Sequence, residues 1–100
     1  MNIAPLIIDT GGTFNKRYQP VSGKLAIDPK TTAVERILQS AAPNLDAQII
    51  APLRKDSLDF TAEDRDLICR LVQTMPQQAV LIIHGTDTMD QTAATLAQFL

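Results

Sequence analysis

Three short, largely apolar runs punctuate the chain, and each ends in a polar turn. Ile3 to Ile8, interrupted only by Pro5, closes on Asp9-Thr10-Gly11-Gly12. Ala47-Gln48-Ile49-Ile50-Ala51 closes on Pro52, and Ala79-Val80-Leu81-Ile82-Ile83 closes on His84-Gly85-Thr86-Asp87. Apolar residues on successive positions are the pattern of strands buried on both faces, as in a parallel sheet. The segments between them carry helical periodicity. Thr32-Ala33-Val34-Glu35 has the spacing of a capping box, and Val34, Ile37, Leu38 and Ala41 then share one face. Thr61 opens a second helix with Glu63 and Asp64 in its first turn, where the helix dipole favours acids. Its apolar stripe is Leu67, Ile68, Leu71, Val72 and Met75, and Pro76 stops it. Thr88 opens a third helix carrying Met89, Ala93, Leu96 and Leu100.

The order βαβαβα predicts an α/β fold: a three-layer unit with an open, doubly wound parallel sheet of the Rossmann or flavodoxin kind. Residues 1–100 form one domain. Both sheet edges are open, and the third helix has neither a Gly or Asn stop nor a basic last turn. The expectation is therefore a unit completed by further strands or by another subunit.

Composition narrows the function classes. At 100 residues with 45% hydrophobic content the chain is globular rather than disordered. A net charge of −2 offers no basic patch for nucleic acid. No apolar run approaches the roughly 20 residues that span a bilayer, and no secretory signal pattern is present. A soluble cytoplasmic protein is expected. Cys69 is the single cysteine and His84 the single histidine, so no metal-ligand spacing exists and no metal or cofactor is expected.

In doubly wound sheets ligands bind at the carboxyl ends of the strands. Here those ends are Asp9-Thr10-Gly11-Gly12-Thr13, Arg54-Lys55-Asp56-Ser57-Leu58-Asp59 and His84-Gly85-Thr86-Asp87-Thr88. All three offer hydroxyls and carboxylates, and the glycines allow close backbone approach to a ligand. The first segment is neither a P-loop nor a dinucleotide fingerprint, and no Ser-His-Asp nucleophile elbow occurs. What remains is a hydroxyl nucleophile without a histidine base, beside a helix N-terminus able to hold a carboxylate. His84 reads as a buried, hydrogen-bonded strand-end residue, Cys69 as a partly packed, inert thiol, and Arg54-Lys55 as a solvated pair. Thr86 and Asp87 are also favoured helix caps.

Ile7-Ile8-Asp9-Thr10-Gly11-Gly12-Thr13 and Ile83-His84-Gly85-Thr86-Asp87-Thr88-Met89 resemble the two signatures of the L-asparaginase/glutaminase family of threonine amidohydrolases. Asp56-Ser57-Leu58-Asp59-Phe60-Thr61 between them resembles the family's serine-containing substrate loop. All three fall in the family's order, and the chain resembles most closely a group of short asparaginase-related proteins. The resemblance implies the N-terminal part of the family's N-domain. It implies Thr10 as nucleophile and Tyr18 as the tyrosine that activates it. Ser57 would hold the substrate α-carboxylate, and Thr86 and Asp87 would complete the catalytic set, with Asp87 also on the α-ammonium group. The backbone at Gly11, Gly85 and Thr86 would complete substrate binding and stabilise the oxyanion. The family pairs its second signature with a lysine further along the chain and with an acid from a neighbouring subunit. Neither position falls within these 100 residues.

The expected substrate is a small amino-acid amide, asparagine or glutamine, and the expected assembly a homodimer or larger homo-oligomer. The alternative is a non-catalytic relative whose pocket binds a small amino acid or carboxylate. A phosphoacceptor domain on the same fold fits poorly, because Asp9 stands alone after the first strand and no lysine follows late in the chain.

Overall fold

A computed structural model describes residues 4–12, 16–19, 24–27 and 31–100, with backbone only at 16–19 and 24–27. The elements run β1 (Leu6–Asp9), β2 (Lys16–Gln19), β3 (Lys24–Ile27), α1 (Thr32–Ala41), β4 (Gln48–Ile50), a 3-10 turn (Ser57–Asp59), α2 (Ala62–Thr74), β5 (Val80–Ile83) and α3 (Met89–Phe99). The three apolar runs pair in parallel with β1 in the centre, in the order β4-β1-β5. Ile7 lies between Ile49 and Leu81, and Ile8 between Ile50 and Ile82. Neighbours in register share a face, so these rows line opposite sides of the sheet. Ile49 lines a pocket with Leu38 of α1, whereas Ile82 lines one with Met89, Ala93 and Leu96 of α3. Helices therefore cover both faces, and α2 packs beside α3.

The predicted α/β unit is present, with differences that have physical causes. Only the central strand is buried on both faces: Leu6, Ile7, Ile8 and Asp9 are all inside. On the edge strand β5, Leu81 is 58% exposed, because a row at a sheet edge has a neighbour on one side alone. The antiparallel pair β2–β3 was not predicted. Lys16-Arg17-Tyr18-Gln19 has neither an apolar run nor alternation, so it carries no strand signal.

The helix starts are shifted by small steps. No capping box forms over Thr32–Glu35. Thr31 is the α1 N-cap, and its hydroxyl donates to Glu35 Oε1 at 3.2 Å on the surface. Of the α1 stripe only Val34 is buried, while Ile37 is half-exposed. In α3 only Thr92 is buried, and Met89, Ala93 and Leu100 are exposed. The α2 helix follows expectation: Ile68 is fully buried, the helix ends at Thr74, and Met75 before Pro76 is extended. Cys69 is fully rather than partly buried. Burial, with Asp66 nearby, pushes the Cys69 thiol pKa up, which fits an inert side chain.

The start of α2 makes a full capping box. Thr61 Oγ1 accepts from the Asp64 N–H at 3.2 Å, and Asp64 Oδ2 accepts from the Thr61 N–H at 2.9 Å. The same oxygen pairs with Lys55 Nζ at 2.8 Å. Burial alone would raise the Asp64 pKa, but the Lys55 and Thr61 hydrogen bonds outweigh it and hold it below 3.8. A depressed folded pKa stabilises above the unfolded value and loses that contribution as pH falls through the folded one. Asp64→Asn should therefore cost about 1 kcal/mol at pH 7. Urea melts of the two proteins from pH 7 to pH 2.5 should show the gap closing below about pH 4. A gap constant with pH would contradict the ion-pair account.

Candidate active site

The order β4-β1-β5 reverses direction at β1, and ligands in such sheets sit outside the carboxyl ends at this switch point. There the three predicted loops meet. The Thr10 N–H donates to Ile83 O at 3.0 Å, tying the end of β1 to the end of β5. On the other side the Lys55 N–H donates to Thr10 O at 3.1 Å, and the Gly12 N–H donates to Lys55 O at 3.0 Å. The glycines set how closely the backbones approach. A Cβ on Gly11 would lie 2.7 Å from Lys55 N, and one on Gly12 would lie 2.8 Å from Gly85 N. Both have positive φ, +104° and +77°, so local conformation and packing each require glycine.

The predicted site residues divide into a locked inner set and an open outer pair. Thr10 is fully buried, and its hydroxyl donates to Ile83 O at 2.7 Å. That bond ties the end of β1 to β5 and leaves the lone pairs of the oxygen without a donor among the described residues. The Gly11 N–H donates to Asp9 Oδ1 at 3.2 Å, so it serves the turn rather than a ligand. Ser57, also fully buried, fastens α3: its Oγ accepts from the Thr88 N–H at 3.1 Å, and its carbonyl accepts from Thr88 Oγ1 at 2.8 Å. In the bond to Thr88 the Ser57 hydroxyl is the acceptor, so its own proton is not used there. Gly85 packs on Ser57 Oγ, and its carbonyl accepts from His84 Nδ1 at 2.6 Å.

Thr86 and Asp87 are different. Both are exposed, and neither makes a hydrogen bond or ion pair among the described residues. They do not cap α3 as the sequence allowed, since Thr88 occupies the N-cap. The side chain of Tyr18 lies outside the described residues, although its backbone belongs to β2.

His84 makes the expected hydrogen bonds, half-buried rather than buried. Nδ1 faces the Gly85 carbonyl, which fixes it as the protonated nitrogen in the neutral ring. Nε2 then accepts from Thr92 Oγ1 at 2.7 Å, while that hydroxyl accepts from Arg65 Nε at 3.2 Å. The ring packs on Phe60 with centroids 4.7 Å apart.

The expectation of a solvated Arg54-Lys55 pair is corrected. Arg54, with a side chain only 16% exposed, pairs with the fully buried Asp9 at 2.7 Å, and Lys55 pairs with Asp64. The available signal was Asp9 itself, since a carboxylate ending a central strand needs a cation if it is buried. Among the described residues no group of His, Cys, Asp and Glu could hold a metal ion, and no helix is long and apolar enough to cross a membrane.

Three parallel strands with helices on both faces and three polar loops at the switch point define an α/β domain of the doubly wound kind. The particular family follows from comparison with known proteins. Residues 5–100 match the family described as asparaginase, N-terminal, and the chain belongs to the asparaginase family. Twenty-nine chains of solved structures match it. One is the thermostable L-asparaginase from Thermococcus kodakarensis, 26% identical, with a TM-score of 0.75 over 96% of this chain and 30% of that one. The chain thus spans less than a third of the length of that relative. No curated protein matches the chain.

Proposed function

We propose that the chain is an asparaginase-like amidohydrolase domain, cleaving the side-chain amide of L-asparagine or L-glutamine to the acid and ammonia. The observation that carries this reading is the exposed Thr86-Asp87 pair at the switch point, in a chain similar to the solved L-asparaginase above. The Asp87 carboxylate recognises the substrate α-ammonium group, as charge complementarity requires.

The reaction itself is acyl transfer through a threonine. The hydroxyl oxygen attacks the amide carbon, the tetrahedral intermediate collapses with the proton passing to the leaving nitrogen, and ammonia departs. Water then hydrolyses the ester and restores the hydroxyl. Thr10, at the end of β1 in the first signature, is the hydroxyl we assign to attack. Its bond to Ile83 O holds it at the carboxyl end of the sheet. Tyr18 activates the nucleophile in this reading, and a homo-oligomer completes the site. The exposure of Leu81 on the outer strand of the sheet fits such assembly.

The alternative, a non-catalytic relative that binds a small amino acid, gains support from the Thr10 proton being held on Ile83 O. Both readings require Asp87 as the ammonium ligand. Asp87→Asn should weaken L-aspartate binding about tenfold to a hundredfold, the factor equivalent to about 1.5–3 kcal/mol for a hydrogen bond to a charged group. Titration calorimetry measures it directly, and unchanged affinity would remove Asp87 from the site. Ammonia release from asparagine then separates the enzyme from the binding module.

A further inference from the structure

We infer that Arg54 is a positioning residue of this site: its pairing with the buried carboxylate of Asp9 sets the turn that presents the first signature. The catalytic consequence rests on the amidohydrolase reading, while the structural one stands apart from it.

Asp9 ends the central strand with no exposed surface, where an ionised carboxylate is costly unless a cation and hydrogen bonds compensate it. Arg54 Nη1 lies 2.7 Å from Asp9 Oδ2. The two carboxylate oxygens have different tasks. Oδ2 meets the guanidinium, and Oδ1 accepts the Gly11 N–H at 3.2 Å. Gly11 is where the chain enters positive φ, so the carboxylate orientation fixed by Arg54 is passed to the first residue of the turn. The main chain beside Arg54 grips the same turn from its other side, through the Lys55 N–H on Thr10 O and the Gly12 N–H on Lys55 O. Arg54 thus joins β4 to the signature by side chain and backbone together. Its charge is matched by Asp9, which separates it from a clamp for a substrate carboxylate.

The test uses Arg54→Met, Arg54→Lys and the double variant Asp9→Asn/Arg54→Met. The methionine leaves a buried carboxylate without its cation, whereas the double variant removes both charges and keeps an acceptor for the Gly11 N–H. In amide hydrogen exchange followed by NMR, Arg54→Met should speed Gly11 and Gly12 by about tenfold or more relative to Leu71 in α2. The double variant should return to within about threefold of wild type, which only a charge-coupled pair does. Arg54→Lys should fall between, since an ammonium restores charge without the planar fork. With asparagine as substrate, Arg54→Met should lower kcat about tenfold or more while KM stays within about threefold, the pattern of a displaced reacting group.

Should Arg54→Met fail to fold by circular dichroism, the double variant must fold. A double variant as impaired as Arg54→Met, or unchanged Gly11 exchange in Arg54→Met, overturns the inference. Absence of ammonia release by wild type would count against the amidohydrolase reading, and the exchange data would still decide the role of Arg54.

Discussion

Gly12→Ala should lose about 3 kcal/mol or more of folding stability, the sum of two costs of similar size. Its φ of +77° is a conformation that costs an alanine about 1–2 kcal/mol. The new Cβ would also meet backbone, 2.8 Å from Gly85 N and 2.9 Å from Gly85 Cα, and forced overlap in a packed region costs about 1–3 kcal/mol. Neither atom belongs to a side chain that can turn away, so the β1 and β5 loops must separate. For a domain of this size each kcal/mol corresponds to about 4–8 °C, so the melting temperature should fall by about 12 °C or more. Gly85→Ala is the control. Its Cβ would press at 3.0 Å on Ser57 Oγ and reach backbone only at 3.3 Å, looser than at Gly12, and its φ is not positive. Thermal melts should rank Gly12→Ala below Gly85→Ala, and the reverse order would refute the account of how the loops meet.

Ile8→Ala should cost about 2–5 kcal/mol, the range for emptying a well-packed aliphatic site. Ile8 has no exposed surface and lies between Ile50 and Ile82 on the central strand, so adjacent strands restrict collapse of the cavity. Leu81→Ala removes a residue of the same class from the neighbouring strand. It should change stability by about 0.5 kcal/mol or less, because Leu81 is already 58% exposed. Urea denaturation of both variants measures the contrast. Equal losses would mean that Leu81 is covered in solution by a surface the isolated fold does not show, and a dependence of its midpoint on protein concentration would identify a second copy as that cover.

That contrast also marks where the sequence stops being informative. The apolar runs announce parallel strands, and the helices between them force the α/β order. The runs do not say which strand is central, since Ile7-Ile8 and Leu81-Ile82 are equally apolar, yet the first pair is buried and Leu81 is exposed. Edge position is a property of the sheet and not of the strand. The β2–β3 pair was hidden for a related reason: four residues rich in charge carry no periodicity until a partner strand supplies their hydrogen bonds.

At the site, residue types pointed to three loops, and topology brings them together. Residue roles were less legible. Thr10 and Ser57 carry the chemistry of a binding site in sequence, and in the fold their polar groups also hold one loop to another, while Gly11 closes its own turn. Thr86 and Asp87 have the same residue types and lack such partners among the described residues. A hydroxyl that binds substrate and one that binds a neighbouring carbonyl look identical in a string of letters. Similarly, Arg54 and Lys55 read as a solvated pair because their carboxylate partners, Asp9 and Asp64, come from other elements.

Ammonia release from L-asparagine by the wild-type chain and Thr10→Val tests the central claim most directly. Valine keeps the shape of threonine and removes the hydroxyl, and circular dichroism confirms folding in each case. The account predicts release by wild type and loss to the buffer baseline in Thr10→Val. Release kept in a folded Thr10→Val would contradict the assignment of Thr10 as the attacking hydroxyl. No release from folded wild type would contradict turnover by this chain and leave the amino-acid-binding domain.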